Sequence, residues 1–301
     1  MLMKKTKPKV ALIGSGYWGS IIKKYISSYF ELKYVADSNF DKSIIWKDEE
    51  VSAVIIATPI ETHYQITKEA LINNKHVLVE KPIALKYDES IELREIAKSK
   101  ELKICVEYTQ TFSPSIIQCV TTAKELEGPL YIEMSVKHLG RFMTCDVYWL
   151  LASHQLSILD MVCNLDEFSF YNEDHLFHNG LCTTGTVYFN NNEKKIKGRI
   201  DISTNFPGKE VMINFYGDNA TIQYNPLAKN SVRTTYYDKK YKSLPSALTI
   251  NEIINDYDEN HNLEHSIRYF HDVMLNARKQ NIDRAVRITR TLEMFAKSIT
   301  L

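Results

Sequence analysis

A short apolar run, Val10-Ala11-Leu12-Ile13, leads into Gly14-Ser15-Gly16-Tyr17-Trp18-Gly19, a G-x-G-x-x-G spacing. These residue types at these intervals suit the holding of a pyrophosphate. Gly14 permits a tight turn, Gly16 lets backbone approach a diphosphate, and Gly19 lets the following helix pack on the strand. The helix start adds open N–H groups and the positive end of its dipole. Asp37, followed by Ser38, ends the next strand-like run. A carboxylate there can accept hydrogen bonds from two ribose hydroxyls and repels a 2′-phosphate. The motif therefore predicts a dinucleotide, with NAD(H) preferred and NADP(H) second. No arginine follows Asp37, and Lys42 is the nearest basic residue after it.

The surrounding pattern supplies the elements that such a loop needs. Strand signals at residues 9–13, 32–36, 51–57, 76–79 and 103–106 alternate with helical spacing at 17–29, 62–73 and 88–100. Strands separated by helices imply parallel pairing with right-handed crossovers, hence a doubly wound Rossmann-type sheet. After Pro114 the pattern changes. One helix, 115–126, is broken by Gly128-Pro129, and period-two alternation follows over 130–139, with Ile132, Met134 and Val136 on one side. Similar alternation recurs at 184–189, 195–203, 211–216 and 220–224, with turn signals at Asn190-Asn191-Asn192 and Gly217-Asp218-Asn219. Two helices close the chain, at 263–280 and 282–299.

The expected architecture is α/β. A dinucleotide-binding domain spans 1–118. A C-terminal domain spans 119–301, with a large, open, mostly antiparallel sheet for substrate binding and oligomerisation. The helices can cover only one side of that sheet, so its free face predicts a homodimer or homotetramer.

Composition narrows the partners. Lys+Arg and Asp+Glu are 37 each in 301 residues, which steers the protein toward neither nucleic acid nor anionic membrane. No apolar stretch reaches membrane-spanning length. Five cysteines without a C-x-x-C pair read as free thiols, and the expectation is a cytoplasmic protein. The basic run from Met3 to Lys7 reads as a solvated tail. His261-Asn262-Leu263-Glu264-His265 matches a zinc-protease spacing but lacks its context, so no metal is expected. The stretch holding His175 and His178, and the one holding Tyr236, Tyr237 and Tyr241, read as exposed loops.

Three further segments add specificity: Ala57-Thr58-Pro59 with Thr62-His63, then Glu80-Lys81-Pro82, then Trp149 through His154 to Asp160. With the glycine loop they resemble the Gfo/Idh/MocA family of dehydrogenases from about Lys9 to the C-terminus, most strongly in the first 115 residues. Residues 109–114 and the stretch from Leu139-Gly140-Arg141-Phe142 to Leu159 look like members of nucleotide-sugar and surface-polysaccharide pathways.

The resemblance implies roles. Gly14, Gly16, Tyr17, Trp18, Gly19, Asp37 and Ser38 would bind the cofactor, the glycines at its pyrophosphate and Asp37 at its adenosine ribose. Thr58, Pro59 and His63 would line its ribose and nicotinamide, Glu80 the nicotinamide ribose or carboxamide side. Lys81 would reach the substrate oxygen, with Pro82 fixing the loop, often through a cis bond. His154 would enter from the second domain to meet the same substrate carbon across the cleft. Hydride transfer from an alcohol requires loss of the hydroxyl proton, a task suited to an imidazole. The implied activity is hydride transfer between nicotinamide and a hydroxyl or keto carbon of a sugar or nucleotide sugar.

Two departures qualify this. The family commonly places Asp four residues before the histidine, and here that residue is Leu150; neither Asp146 nor Asp160 is an evident substitute, and Gln155 follows the histidine where related enzymes often carry Asp. Residues 38–50 are also too few for the helix and strand usually found there. Two alternatives therefore stand beside the dehydrogenase: non-redox net chemistry, such as glycoside cleavage or elimination, and cofactor binding with little turnover.

Overall fold

The computed structural model describes residues 7–140, 145–237, 249–255 and 257–297. Arg141, Phe142, Tyr241 and residues 3–6 lie outside the described residues. Two compact units are present. One holds the residues up to Thr109 together with Asn260–Arg290, the other Gln110–Glu259 together with the residues from Thr291. A single cut at 118 does not produce this division, because 260–290 returns to the first unit.

In the first unit, β1 (Lys9–Ile13), β2 (Glu31–Ala36), β3 (Val51–Ile56), β4 (His76–Glu80) and β5 (Ile104–Glu107) form a five-stranded sheet in the order β2-β1-β3-β4-β5. All pairings are parallel. Covered on both faces, these strands need no alternation, and β1, β3, β4 and β5 are near-continuous apolar runs. The crossovers are α1 (Tyr17–Tyr29), a single short α2 (Ser43–Lys47), α3 (His63–Ile72) and α4 (Tyr87–Ser99). The segment between β2 and β3 holds α2 and, among the described residues, no additional strand, as its length requires.

The returning segment carries α7 (Asn262–Met274), which buries Ile267, Phe270 and Val273 against α1 and the sheet. Phe270 meets Phe30 with ring centroids 5.7 Å apart. This helix is shorter than its periodicity suggests, because Asn276 adopts φ 56° just beyond it. The next residues cover the outer edge of β5. The Asn281 amide accepts from Val106 N and donates to Val106 O, both at 2.8 Å, and Gln280 Oε1 accepts from Ile104 N at 2.9 Å.

The second unit is built on eight strands: β6 (Leu130–Leu139), β7 (Ser169–His178), β8 (Leu181–Asn191), β9 (Ile196–Ser203), β10 (Asn205–Tyr216), β11 (Ala220–Tyr224), β12 (Val232–Tyr237) and β13 (Thr249–Asn255). Their order is β13-β12-β11-β10-β6-β9-β8-β7. Only β6 and β9 pair in parallel; the other ladders are antiparallel. One face buries Ile132, Met134, Val187, Ile200, Ile213 and Phe215. The other carries the stacked Tyr171–Tyr188 pair and the Glu133–Arg199 ion pair at 3.2 Å. Here the structure corrects the sequence reading: His175 and His178 lie on the edge strand β7, and Tyr236 and Tyr237 on β12, not in loops. Helix α5 (Pro114–Lys124) is capped by Ser113, whose Oγ accepts from Ile116 N at 3.1 Å, and it packs beside β11 and α6 (Ser153–Val162). The last helix, α8 (Ile282–Lys297), begins in the first unit.

Candidate cofactor and active site

In a parallel sheet all carboxyl ends open on one edge, and ligands bind there at the switch point where neighbouring crossovers part. In this sheet the switch lies between β1 and β3, and the strand ends present Gly14, Asp37, Ala57-Thr58, Glu80-Lys81 and Glu107 in turn.

Gly14 has φ +103°, and a Cβ there would lie 2.4 Å from Ala57 O, so no other residue fits the turn without moving backbone. Gly16 is the reverse case. A Cβ there would meet nothing within 4 Å, so the space beside this backbone is open. Gly16 is also the N-cap of α1, with no side-chain cap and no acidic residue in the first turn. Open backbone, an uncapped helix start and no competing carboxylate fit a pyrophosphate. Gly19 is buried, whereas Tyr17 and Trp18 are exposed and meet edge to face with centroids 5.5 Å apart.

Asp37 is exposed; its Oδ1 accepts from Asn39 N at 2.9 Å, which orients the carboxylate at the end of β2. Ser38 is exposed beside it. After β3, the Thr62 hydroxyl lies 2.7 Å from both Thr58 Oγ1 and Pro59 O, closing a small turn in which Thr58 is half-buried and Pro59 exposed.

His63 is only 2% exposed, and its ring stands between two backbone carbonyls, Thr58 O and Pro82 O. Burial pushes its pKa down, opposed by these two contacts. The ring therefore ties two loops together, a buried task the sequence alone did not suggest. The Lys81–Pro82 peptide is cis, as the resemblance implies. Glu80 and Lys81 are partly buried; burial pushes the Glu80 carboxyl up to about 7, while Lys81 acts in the opposite direction through its charge and its backbone N–H.

The second unit presents His154 by a different device. Residues Tyr148–Ala152 form one π-helical turn directly before α6. Such turns frequently mark functional positions. Of residues 151–160, His154 is the one that is not buried. Its carbonyl accepts from Ser157 Oγ at 2.6 Å. Leu150 is half-buried within the π turn, and Gln155 is fully buried. Asp146 is engaged elsewhere, its Oδ1 accepting from Cys182 N at 2.7 Å. Asp160 Oδ1 accepts from Leu165 N at 3.3 Å. Among the described residues no group of three or more His, Cys, Asp or Glu side chains could hold a metal, and no helix is long and apolar enough to cross a membrane.

Sequence reasoning missed Glu107, the acid at the end of β5. It is 2% exposed, and its Oε2 accepts from Ser266 Oγ of α7. The available signal was its place in the row of strand ends.

Residues 23–108 match the family model described as "Oxidoreductase family, NAD-binding Rossmann fold" (GFO_IDH_MocA). Over 66 residues, 22% of the chain, the sequence is 41% identical to an uncharacterized oxidoreductase, sll0816, of Synechocystis sp., covering 18% of that relative. The chain thus aligns with less than a fifth of that curated protein's length. The solved structure of the UDP-N-acetylglucosamine 3-dehydrogenase GnnA from Acidithiobacillus ferrooxidans superposes with a TM-score of 0.83 at 18% identity, covering 94% of this chain and 95% of that one. An inositol dehydrogenase homologue from Azotobacter vinelandii, solved with NADH and myo-inositol, gives a TM-score of 0.76 at 16% identity over 96% of this chain and 94% of that one. At these identities the structural likeness shows the fold. Residues 23–108 are thus similar to the NAD-binding Rossmann domain of the Gfo/Idh/MocA oxidoreductases, and the chain shares the fold of these solved structures.

Proposed function

We propose that the protein is an NAD(H)-dependent oxidoreductase acting on a hydroxyl or keto carbon of a sugar or nucleotide sugar. The observation that carries this reading is the single edge of the parallel sheet on which the open Gly16 backbone, Asp37, Thr58 and Glu80-Lys81 stand in sequence. The names of the structural neighbours, one acting on a UDP-sugar and one holding myo-inositol, support a polyhydroxylated substrate.

Gly14, Gly16, Tyr17, Trp18 and Gly19 would hold the diphosphate side of the cofactor, Asp37 and Ser38 its adenosine ribose, and Thr58, Pro59 and Glu80 its nicotinamide half. The bound nicotinamide would supply the hydride acceptor or donor. In this reading Lys81 polarises the substrate oxygen, and His154 takes or returns the hydroxyl proton. His63 supports these groups by tying their loops. The exposed aromatic and charged face of the eight-stranded sheet is the proposed surface of a homodimer or homotetramer, checked by sedimentation.

Leu150 favours a second reading. Without a carboxylate four residues before His154, the protein would bind NAD(H) yet show little net redox turnover or a non-redox net reaction. The deciding experiment mixes purified protein with NAD, UDP-sugars and inositols, following the absorbance of reduced nicotinamide. A rise with any substrate supports the first reading. Bound NAD(H) with no absorbance change across the panel supports the second. Failure to bind NADH at all would overturn both.

A further inference from the structure

Glu80 and Glu107 are register partners on the adjacent parallel strands β4 and β5. Paired residues on parallel strands point to the same face, so both carboxyls lie on the side that buries Leu78 and Cys105 against α7. Glu107 is 2% exposed. Its Oε2 accepts from Ser266 Oγ, while its Oε1 is buried with no hydrogen-bond partner among the described residues. Two like charges on neighbouring strands, one of them shut off from water, cannot both persist without compensation. Among the described residues the cation acting on the pair is Lys81, just after β4; the other neighbouring groups are neutral, Ser266 of α7, Thr109 after β5 and the Cys105 thiol of β5 itself.

We infer that Glu107 is a positioning residue that stands as the neutral acid and donates its proton from Oε1 to the Glu80 carboxylate, so that the pair carries one negative charge beside Lys81. Glu107 bears the proton because its surroundings offer only hydroxyl donors. Glu80 keeps the charge because it has the Lys81 N–H and the Lys81 ammonium. Burial raises both carboxyls, and Glu80 raises Glu107 further, against the Thr109 hydroxyl. The arrangement orients Glu80 from behind and fixes the charge that Lys81 meets. That last consequence rests on the function proposed above, whereas the shared proton does not.

Infrared spectroscopy of the purified protein at neutral pH, without added cofactor, tests the proton directly. Wild type should show the carbonyl stretch of a protonated carboxylic acid. Glu107→Gln should lose it, because Glu80 then ionises alone. Ser266→Ala keeps both acids but removes the hydrogen bond to the Glu107 carbonyl oxygen, so its band should move to higher wavenumber. NADH titrations accompany the spectra. Glu107→Leu should bind about tenfold more weakly, the scale of one hydrogen bond to a charged group, and Glu107→Gln, which keeps a donor toward Glu80, should recover most of that loss. No band in wild type, a band that survives Glu107→Gln, a band unmoved in Ser266→Ala, or equal affinities for the Leu and Gln variants would overturn the inference. A wild type that shows the band pattern but binds no NADH would instead remove the proposed function and leave the shared proton standing.

Discussion

His63 Nδ1 lies 2.8 Å from the carbonyl oxygen of Pro82, and this contact joins the turn after β3 to the turn after β4. The other ring nitrogen lies 2.8 Å from Thr58 O. A neutral imidazole has one N–H and donates to one of these carbonyls; the imidazolium donates to both. Burial wins over the two carbonyls, and the pKa is lowered from 6.5. The unfolded chain therefore binds a proton more readily than the folded one, and stability is lost as pH falls from the unfolded value of 6.5 toward the lower folded one. Thermal unfolding of wild type and His63→Asn from about pH 8 to about pH 5 should show the wild type losing its advantage on the acid side. His63→Ala should cost about 1–3 kcal/mol at neutral pH. A pH-independent difference between wild type and His63→Asn would refute the linkage.

The two glycines of the loop separate fold from binding. Gly14→Ala places a Cβ against Ala57 O at a positive φ, so it should destabilise by about 1–3 kcal/mol or prevent folding. Gly16→Ala meets nothing within 4 Å and should leave the unfolding temperature nearly unchanged. The same methyl occupies the space proposed for the diphosphate, so NADH affinity should fall by about tenfold or more, roughly 1.4 kcal/mol. Loss of stability without loss of affinity in Gly16→Ala would contradict the assignment.

Asp37 should set the cofactor choice. With its carboxylate exposed at the end of β2, NADH should bind more tightly than NADPH, and Asp37→Ala should narrow the gap chiefly by weakening NADH. Fluorescence titration with both cofactors measures it. Equal or tighter binding of NADPH by the wild type would end this claim.

Lys81 and His154 are expected to affect rate rather than cofactor binding. Lys81→Ala and His154→Ala should each lower turnover by about 10²–10⁴-fold, the usual worth of a positioned proton donor or acceptor, with NADH affinity within about threefold of wild type. Leu150→Asp restores a carboxylate to the π turn before His154, and an increased rate is the expected outcome. Full activity in His154→Ala would remove that residue from the chemistry.

The Rossmann half was legible because each of its signals is local. Buried parallel strands are apolar runs, and a tight turn beside a crossover demands glycine at a fixed spacing. The second sheet was legible where one face is buried, as in β6, β9 and β10. It was not legible at β7, an edge strand with Asn172, Glu173, Asp174 and His175 in succession and Tyr171, Leu176 and Phe177 exposed, where no face-by-face alternation survives. Strand β12 was missed for a related reason, since its Arg-Thr-Thr-Tyr stretch pairs within the sheet without an apolar stripe. The π turn carries no periodicity that separates it from an ordinary helix. In the site, His63 was readable as a residue but not as a tie between carbonyls, and Glu107 depends on Ser266, 159 residues away. Contacts of that range are written in topology, not in spacing.

The amides of Gln280 and Asn281 on the rim of β5 decide how this half of the molecule behaves among its own copies. A bare edge ladder is an invitation to strands of other molecules. Here the backbone groups of Ile104 and Val106 are answered from within the chain, by residues that arrive more than 170 positions later. During synthesis the ladder stays open until that late segment has emerged, so a nascent chain is most prone to self-association in this interval. Gln280 and Asn281 thus shield the outer edge of β5, and a fragment cut before them is expected to expose that edge and self-associate.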